Sequence, residues 1–391
     1  MSLHAPSRFL VDSAVRRRFG ERVDRLGPRF FDGDPLGDEA FASLRALPAP
    51  ERNVQVDRAL RQGADGAKDA PEPLRALLRA CEVVPFWVDF PRVSRGGAVF
   101  LRSGLVGGMI LGTYALTASY CSPAGNKPLL FSGRLEEQTP RRLAETGRFV
   151  QLVAQRETLR PGNEGWRAAV KVRLMHAAVR SFCLASPRWN REAWGTPINQ
   201  PDMAGTGLLF SWVVLDGLDK LGLGPRGPER EDLLHQWRYV SWLLGVDQDL
   251  LWTSEVEARD YWELLVATQG GPDEDSKRLV TALLDSGPRG ARTPEERARA
   301  ERILPVSHAL SRYFLGDAIA DQLGLRKNLL GKAALPALSR LQAGSRMLAR
   351  TVPMLSAGSA ERGARYWQFI VDQGLRGTPA DFAIPEGIRA G

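Results

Sequence analysis

Apolar positions recur at spacings of three and four along nearly the whole chain, and no stretch sustains the two-residue alternation of a half-buried strand. The pattern predicts an all-α protein. Three helices are marked most clearly. TPRRLAETGRFVQLVA has Thr139 as N-cap and Pro140 at the first helical position. The run from Trp166 to Ala185 is stopped by Ser186 and Pro187, and TPEE opens another helix with Thr293 as cap. Residues 1 to 45 read as two short helices around the turn FFDGDPLGD, and RQGADGAKDAPEP, 61 to 73, reads as a polar loop. In GTPINQPDMAG, Asp202 is placed to cap a helix running from Met203 through Trp212 to Leu218. No break separates two hydrophobic cores. The expected organisation is one helical domain, with an N-terminal extension (1–75), a core (76–285) and C-terminal helices packed on it (286–391).

The stretch SGLVGGMILGTYALTASYC, from Ser103, carries no charge and approaches the about 20 apolar residues needed to span a bilayer. Gly104, Gly107, Gly108 and Gly112 dilute its hydrophobicity and let another helix or a flat ligand come close. A buried central helix is the expectation, and membrane contact is not predicted.

Composition narrows the function classes. The chain has 391 residues, 43% hydrophobic and 25% charged, an ordinary globular balance. Its formal charge of +8 is scattered among acidic residues rather than gathered into a basic face, which argues against nucleic acid as a partner. Cys81, Cys121 and Cys183 are too dispersed for a disulfide framework or a zinc site, and a reducing cytosol is the expected compartment. The arginines at 16 to 18 have no apolar stretch behind them, so the N-terminus does not read as an export signal. No GxSxG turn, P-loop, HExxH or strand-borne GxGxxG is present.

The candidate chemistry centres on VRLMHAAVRSF. Ala169, Val172, His176, Val179 and Cys183 share one helix face, with Arg173 and Arg180 a turn to either side of the histidine. Two readings stay open: a core histidine whose ring nitrogens are satisfied, or an axial ligand to haem iron. In the second, the arginines suit a haem's propionates. Upstream, Arg142 and Thr146 stand four apart on a face continued by Phe149 and Val153. That is either an arginine folding its stem over the core, or a pair of donors for a propionate or bound dioxygen. His235 and His308 read as packing or capping residues, and His4 as terminal and disordered. Asn199 and Gln200 sit in a rigid proline loop or at a substrate entrance.

RRLAETGRFV, VRLMHAAVR, WGTPINQPDMAGT and LHQWRYVSWLLGVDQDLL, in that order, resemble the rubber-oxygenase catalytic-domain family of latex-clearing proteins and MpaB-type oxygenases, over roughly residues 85 to 255. The resemblance implies a globin-like helical core around one b-type haem, with His176 as proximal ligand and Arg142 and Thr146 beside the porphyrin. It implies an oxygenase acting with dioxygen on a hydrophobic, unsaturated substrate. The sequence departs from the latex-clearing pattern in two places. Glu145 stands where those proteins have a lysine, and their glutamate base falls on Asn126 by ungapped counting, with Glu136 and Glu137 further on. A non-catalytic haem sensor or carrier and a haem-free helical interaction protein stay open as alternatives.

Overall fold

The structure, a computed structural model, describes residues 4–131, 139–327, 359–380, 382–385 and 387, and every regular element among them is a helix. An N-terminal group comprises α1 (Ser13–Phe19), α2 (Arg22–Arg29), α3 (Pro35–Leu44), α4 (Ala49–Gly66) and α5 (Glu72–Glu82). The middle of the chain forms α6 (Phe90–Ile110), a π-helical turn (Leu111–Ala115), α7 (Leu116–Ser119), α8 (Pro123–Phe131), α9 (Thr139–Ala154) and α10 (Glu164–Ala185). There follow α11 (Arg191–Trp194), α12 (Gln200–Phe210), α13 (Trp212–Lys220), α14 (Pro228–Leu243) and α15 (Glu255–Ala267). Last come α16 (Glu274–Leu284), α17 (Ser286–Gly290), α18 (Pro294–Leu315), α19 (Asp317–Gln322) and α20 (Ser359–Leu375).

The main apolar core draws on residues from Phe9 to Ile384, and α6 runs through it. Gly96 lies against the Asp232 carbonyl of α14, and Gly97 against the Ala154 carbonyl at the end of α9; a Cβ at either would overlap those atoms. On α20, Gly363 lies against the Leu101 carbonyl, and Trp367 packs on Phe100 with ring centroids 5.1 Å apart. The glycines are thus where backbones cross. Gly97→Ala is expected to cost about 1–3 kcal/mol through overpacking, seen as a lower urea midpoint with an unchanged slope. Phe90–Ser119 is long and apolar enough to cross a membrane, but 56% of its most apolar window is buried inside the protein, as expected of a central core helix.

Local chemistry explains where the helices differ from expectation. The first 45 residues hold three helices rather than two, because Gly20 at φ +56° ends α1 before α2 begins. The cap of α12 is Asn199, whose side chain accepts from the Asp202 N–H at 3.0 Å, so Asp202 lies inside the first turn. That helix breaks at Ser211 (φ −116°, ψ −80°) instead of continuing through Trp212. Thr293 caps α18 as expected, accepting from the Glu296 N–H at 3.1 Å.

Candidate cofactor site between two antiparallel helices

α9 and α10 form an antiparallel hairpin. The Trp166 N–H donates to the Thr158 carbonyl at 2.9 Å, and Gly165 sits beside the Leu152 carbonyl. One side of α9 is taken by α20: Ala144 meets Gly374, Gly147 meets Val371, and Gln151 donates to Gln368 at 2.7 Å. Arg142, Thr146, Phe149 and Val153 occupy the opposite side, by helical geometry. On α10, one side is taken by α3. Arg173 donates twice to Asp34, at 2.7 Å each, Ala177 packs near Gly37, and Arg180 donates to Asp38 at 2.6 Å. The next face round carries Gly165, Val172, His176 and Val179, so it is this face that meets α9.

The register follows from Leu152 lying beside Gly165. Carried back at about 1.5 Å per residue along antiparallel helices, it sets Thr146 level with Lys171 and Arg142 level with Met175, so each lies within about one residue's rise of Val172 and His176. At the loop end, Phe149, Val153 and Ala169 are buried. Toward the other end, Arg142, Thr146, Met175, His176 and Val179 are only half-buried. The two faces are therefore closed at one end and partly uncovered at the other.

Three polar side chains on these faces are left without partners among the described residues. His176 Nδ1 is sealed from water and unbonded, and neither ring nitrogen makes a hydrogen bond. Burial, helped by the Arg180 charge and opposed by Asp34, pushes the imidazole down to about 4, so the ring is neutral near pH 7. Arg142 has no carboxylate partner; its charge acts on the nearby Tyr120 hydroxyl, which burial pushes up and Arg142 draws down. Thr146 makes no side-chain hydrogen bond. A core histidine is expected to have its nitrogens satisfied, and His176 does not.

Other expected residues are used elsewhere. Arg180, fully buried, spends its guanidinium on Asp38 and on the Ile198 carbonyl at 3.0 Å, which ties α10 to α3 and the α12 loop rather than turning it toward α9. Arg173 is likewise committed to Asp34. Glu145 pairs with Arg141 at 2.9 Å. Asn126 is buried, its amide donating to the Tyr120 carbonyl at 2.8 Å and to Ser276 at 3.3 Å. Glu136 and Glu137 lie outside the described residues. Asn199 and Gln200 are both fully buried, and Gln200 bridges the Gly33 and Gly245 carbonyls at 2.7 and 2.9 Å, so they lock the loop rather than line an entrance.

His235 does cap and pack: its Nε2 accepts from the Asp89 N–H at 3.1 Å and its ring meets Trp87 edge-on. His308 accepts from the Arg326 N–H at 3.4 Å, and His4 packs on Phe31 with ring centroids 5.0 Å apart instead of trailing free. Burial and the charges of Arg92 and Arg238 push His235 from 6.5 down to about 4. The unfolded chain therefore takes up this proton first, and the fold loses stability as pH falls from about 6.5 through 4. Unfolding followed at pH 7 and pH 4.5 is expected to show a smaller acid-induced loss in His235→Gln than in the parent.

The arrangement has relatives. The profile of a family described as "ER-bound oxygenase mpaB/B'/Rubber oxygenase, catalytic domain" matches residues 101–352, which include α9 and α10. The rubber oxygenase of Streptomyces sp. (strain K30) is 26% identical over 285 residues, covering 69% of this chain and 63% of that protein. The chain thus spans less than two thirds of that relative's length. A solved structure of latex clearing protein LCP in the closed state superposes with a TM-score of 0.67 at 20% identity, covering 88% of this chain and 91% of the other. That likeness speaks to the fold, which is all-helical in this chain. Well over half of the sequence matches one family profile, and on that ground the chain belongs to the catalytic-domain family of the ER-bound mpaB oxygenase and the rubber oxygenases.

Proposed function

We propose that this protein is an oxygenase that holds haem b between α9 and α10 and acts with dioxygen on a hydrophobic, unsaturated substrate. The observation that carries the reading is the group of unpartnered side chains, His176, Arg142 and Thr146, half-buried on the facing sides of α9 and α10. A buried polar atom left unsatisfied costs about 1–3 kcal/mol, and a ligand that bonds it offsets that cost. Among the described residues no three metal-ligating side chains cluster. A macrocycle that brings four of its own nitrogens needs one protein ligand, and a neutral imidazole serves.

His176 would supply the nitrogen that holds the iron, kept uncharged by its surroundings across the neutral range. Arg142 would donate N–H bonds to an anionic propionate, and the Thr146 hydroxyl, one turn along, would donate at the same face. Val172, Met175 and Val179 would form an apolar wall that excludes water from the reacting groups. When bound, the iron supplies the dioxygen chemistry, and the protein sets ligation, polarity and access.

A second reading, a haem-binding protein without turnover, is favoured by one observation. The position counted as the family's glutamate is Asn126, an amide that cannot take up a proton and is already bonded to Tyr120 and Ser276. Oxygen uptake separates the two. The haem-loaded protein is tested with cis-polyisoprene oligomers, open-chain terpenes and unsaturated fatty acids, with and without a reductant. Uptake matched by a carbonyl product is the expected result. Haem-loaded protein that consumes no oxygen with any of them supports the carrier.

A further inference from the structure

A separate cavity of about 230 Å³ lies between the loop joining α5 to α6 and the face of α14, with Trp87, Arg92, Leu234, His235, Arg238 and Trp252 among its walls. At about 30 Å³ per water, it has room for roughly eight waters. We propose that it binds an organic carboxylate bearing an apolar chain, with the carboxylate on Arg238 and the chain leaving over Phe86. The proposal does not rest on the oxygenase reading.

Arg238 is half-buried and has neither an ion pair nor a hydrogen bond among the described residues. Its guanidinium carbon lies 4.0 Å from the centroid of the Trp87 ring, and its Nε is covered and unbonded. A planar guanidinium held flat on an indole is fixed in one orientation and offers its N–H fork to a carboxylate. Arg92 adds a second cation. Its Nε bonds Asp232 at 2.9 Å, but Asp232 is shared with Arg95 at 2.6 Å, so neither arginine has a counter-ion to itself.

Two carboxylates stand near the cavity without an ion pair to Arg238. Glu257 accepts from the Thr253 N–H and hydroxyl, both at 2.7 Å, and Glu231, on the cavity wall, accepts from the Glu255 N–H at 3.2 Å. His235 is a neutral wall residue whose Nε2 is taken by the Asp89 N–H. Burial weakens the hold of Arg238 on its proton, and the charge of Glu257 offsets this only in part.

The rest of the surface selects for an apolar body. Trp252 turns its N–H to the Leu234 carbonyl at 3.0 Å, so it presents carbon to the cavity. Phe86, next in the chain to Trp87, is 98% exposed, and Val83 on the same loop is 70% exposed. An inorganic anion would use the guanidinium and leave the apolar faces of Trp252 and Phe86 bare; a fatty-acid-like carboxylate uses both.

Calorimetric titration of the full chain with octanoate tests the proposal, with acetate and octan-1-ol as comparators. One octanoate per chain is expected, with each comparator binding at least tenfold more weakly. Arg238→Gln should weaken octanoate at least tenfold and Phe86→Ser several-fold, while Arg238→Lys, which keeps the charge without the fork, falls between the parent and Arg238→Gln. Circular dichroism and melting of each variant confirm that the fold is intact. Octanoate binding that is not saturable, is matched by octan-1-ol or acetate, or survives unchanged in a folded Arg238→Gln overturns the proposal.

Discussion

His176→Ala is expected to lose its haem and keep its fold. Purified beside the parent after expression with ample haem, the variant should show a Soret absorbance per chain at least tenfold lower, with helical circular dichroism nearly unchanged. The asymmetry follows from what the ring does. It makes no hydrogen bond among the described residues and is only half-buried, so truncation removes few contacts, whereas it carries a neutral ring nitrogen on the face toward α9. Free imidazole added to the variant should restore part of the absorbance by filling the space the side chain leaves. A variant that keeps its full Soret band would move the iron ligand to another residue.

Asp34→Ala is expected to destabilise the protein by about 3–5 kcal/mol, the usual cost of stripping one partner from a buried ion pair. Asp34 is 3% exposed. It accepts two bonds from Arg173 at 2.7 Å and caps α3 by accepting from the Gly37 N–H at 3.2 Å. Burial works against the Arg173 charge, and the bonds it donates to Asp34, with the charge of that carboxylate, outweigh the burial. Without the carboxylate, a buried guanidinium would face no counter-ion. Replacing both residues, Asp34→Ala with Arg173→Met, should recover much of the loss, because the second change removes the stranded charge. Guanidinium unfolding of the parent, the single variant and the double variant reads this directly; a single-variant cost below about 1 kcal/mol would show that the pair does not clamp α10. The pair bears on function because it fixes one side of α10 against α3, and so sets the direction of the face that carries His176. Gly245 belongs to the same clamp: at φ +96° it packs where a Cβ would come within 2.7 Å of Asp34 Oδ2.

The helices and the face of His176 could be read from the sequence because both depend on local periodicity. The stop at Ser186 and the cap at Thr293 were legible for the same reason, since cap and proline chemistry act within a turn. The cap of α12 was misread because Asn199 and Asp202 are both good caps three residues apart. Pro201 fits within the first turn and so points to Asn199. The partners of Arg180 were not legible for a different reason. Arg180 does lie one turn from His176, but Asp38 reaches it across 142 residues of sequence, and no local pattern announces that partner. Asp34 was passed over as part of a turn, although an acid just before Pro35 is itself a helix-start signal. The Arg238 cavity is invisible in the sequence, since its defining fact, a cation stacked on Trp87 with no acid to pair it, is a statement about tertiary neighbours.

Titration of the haem-free parent protein with hemin, followed at the Soret band, tests the central claim most directly. A saturable band with an endpoint at one haem per folded chain is expected. A folded protein that develops no Soret band beyond that of free hemin would contradict it.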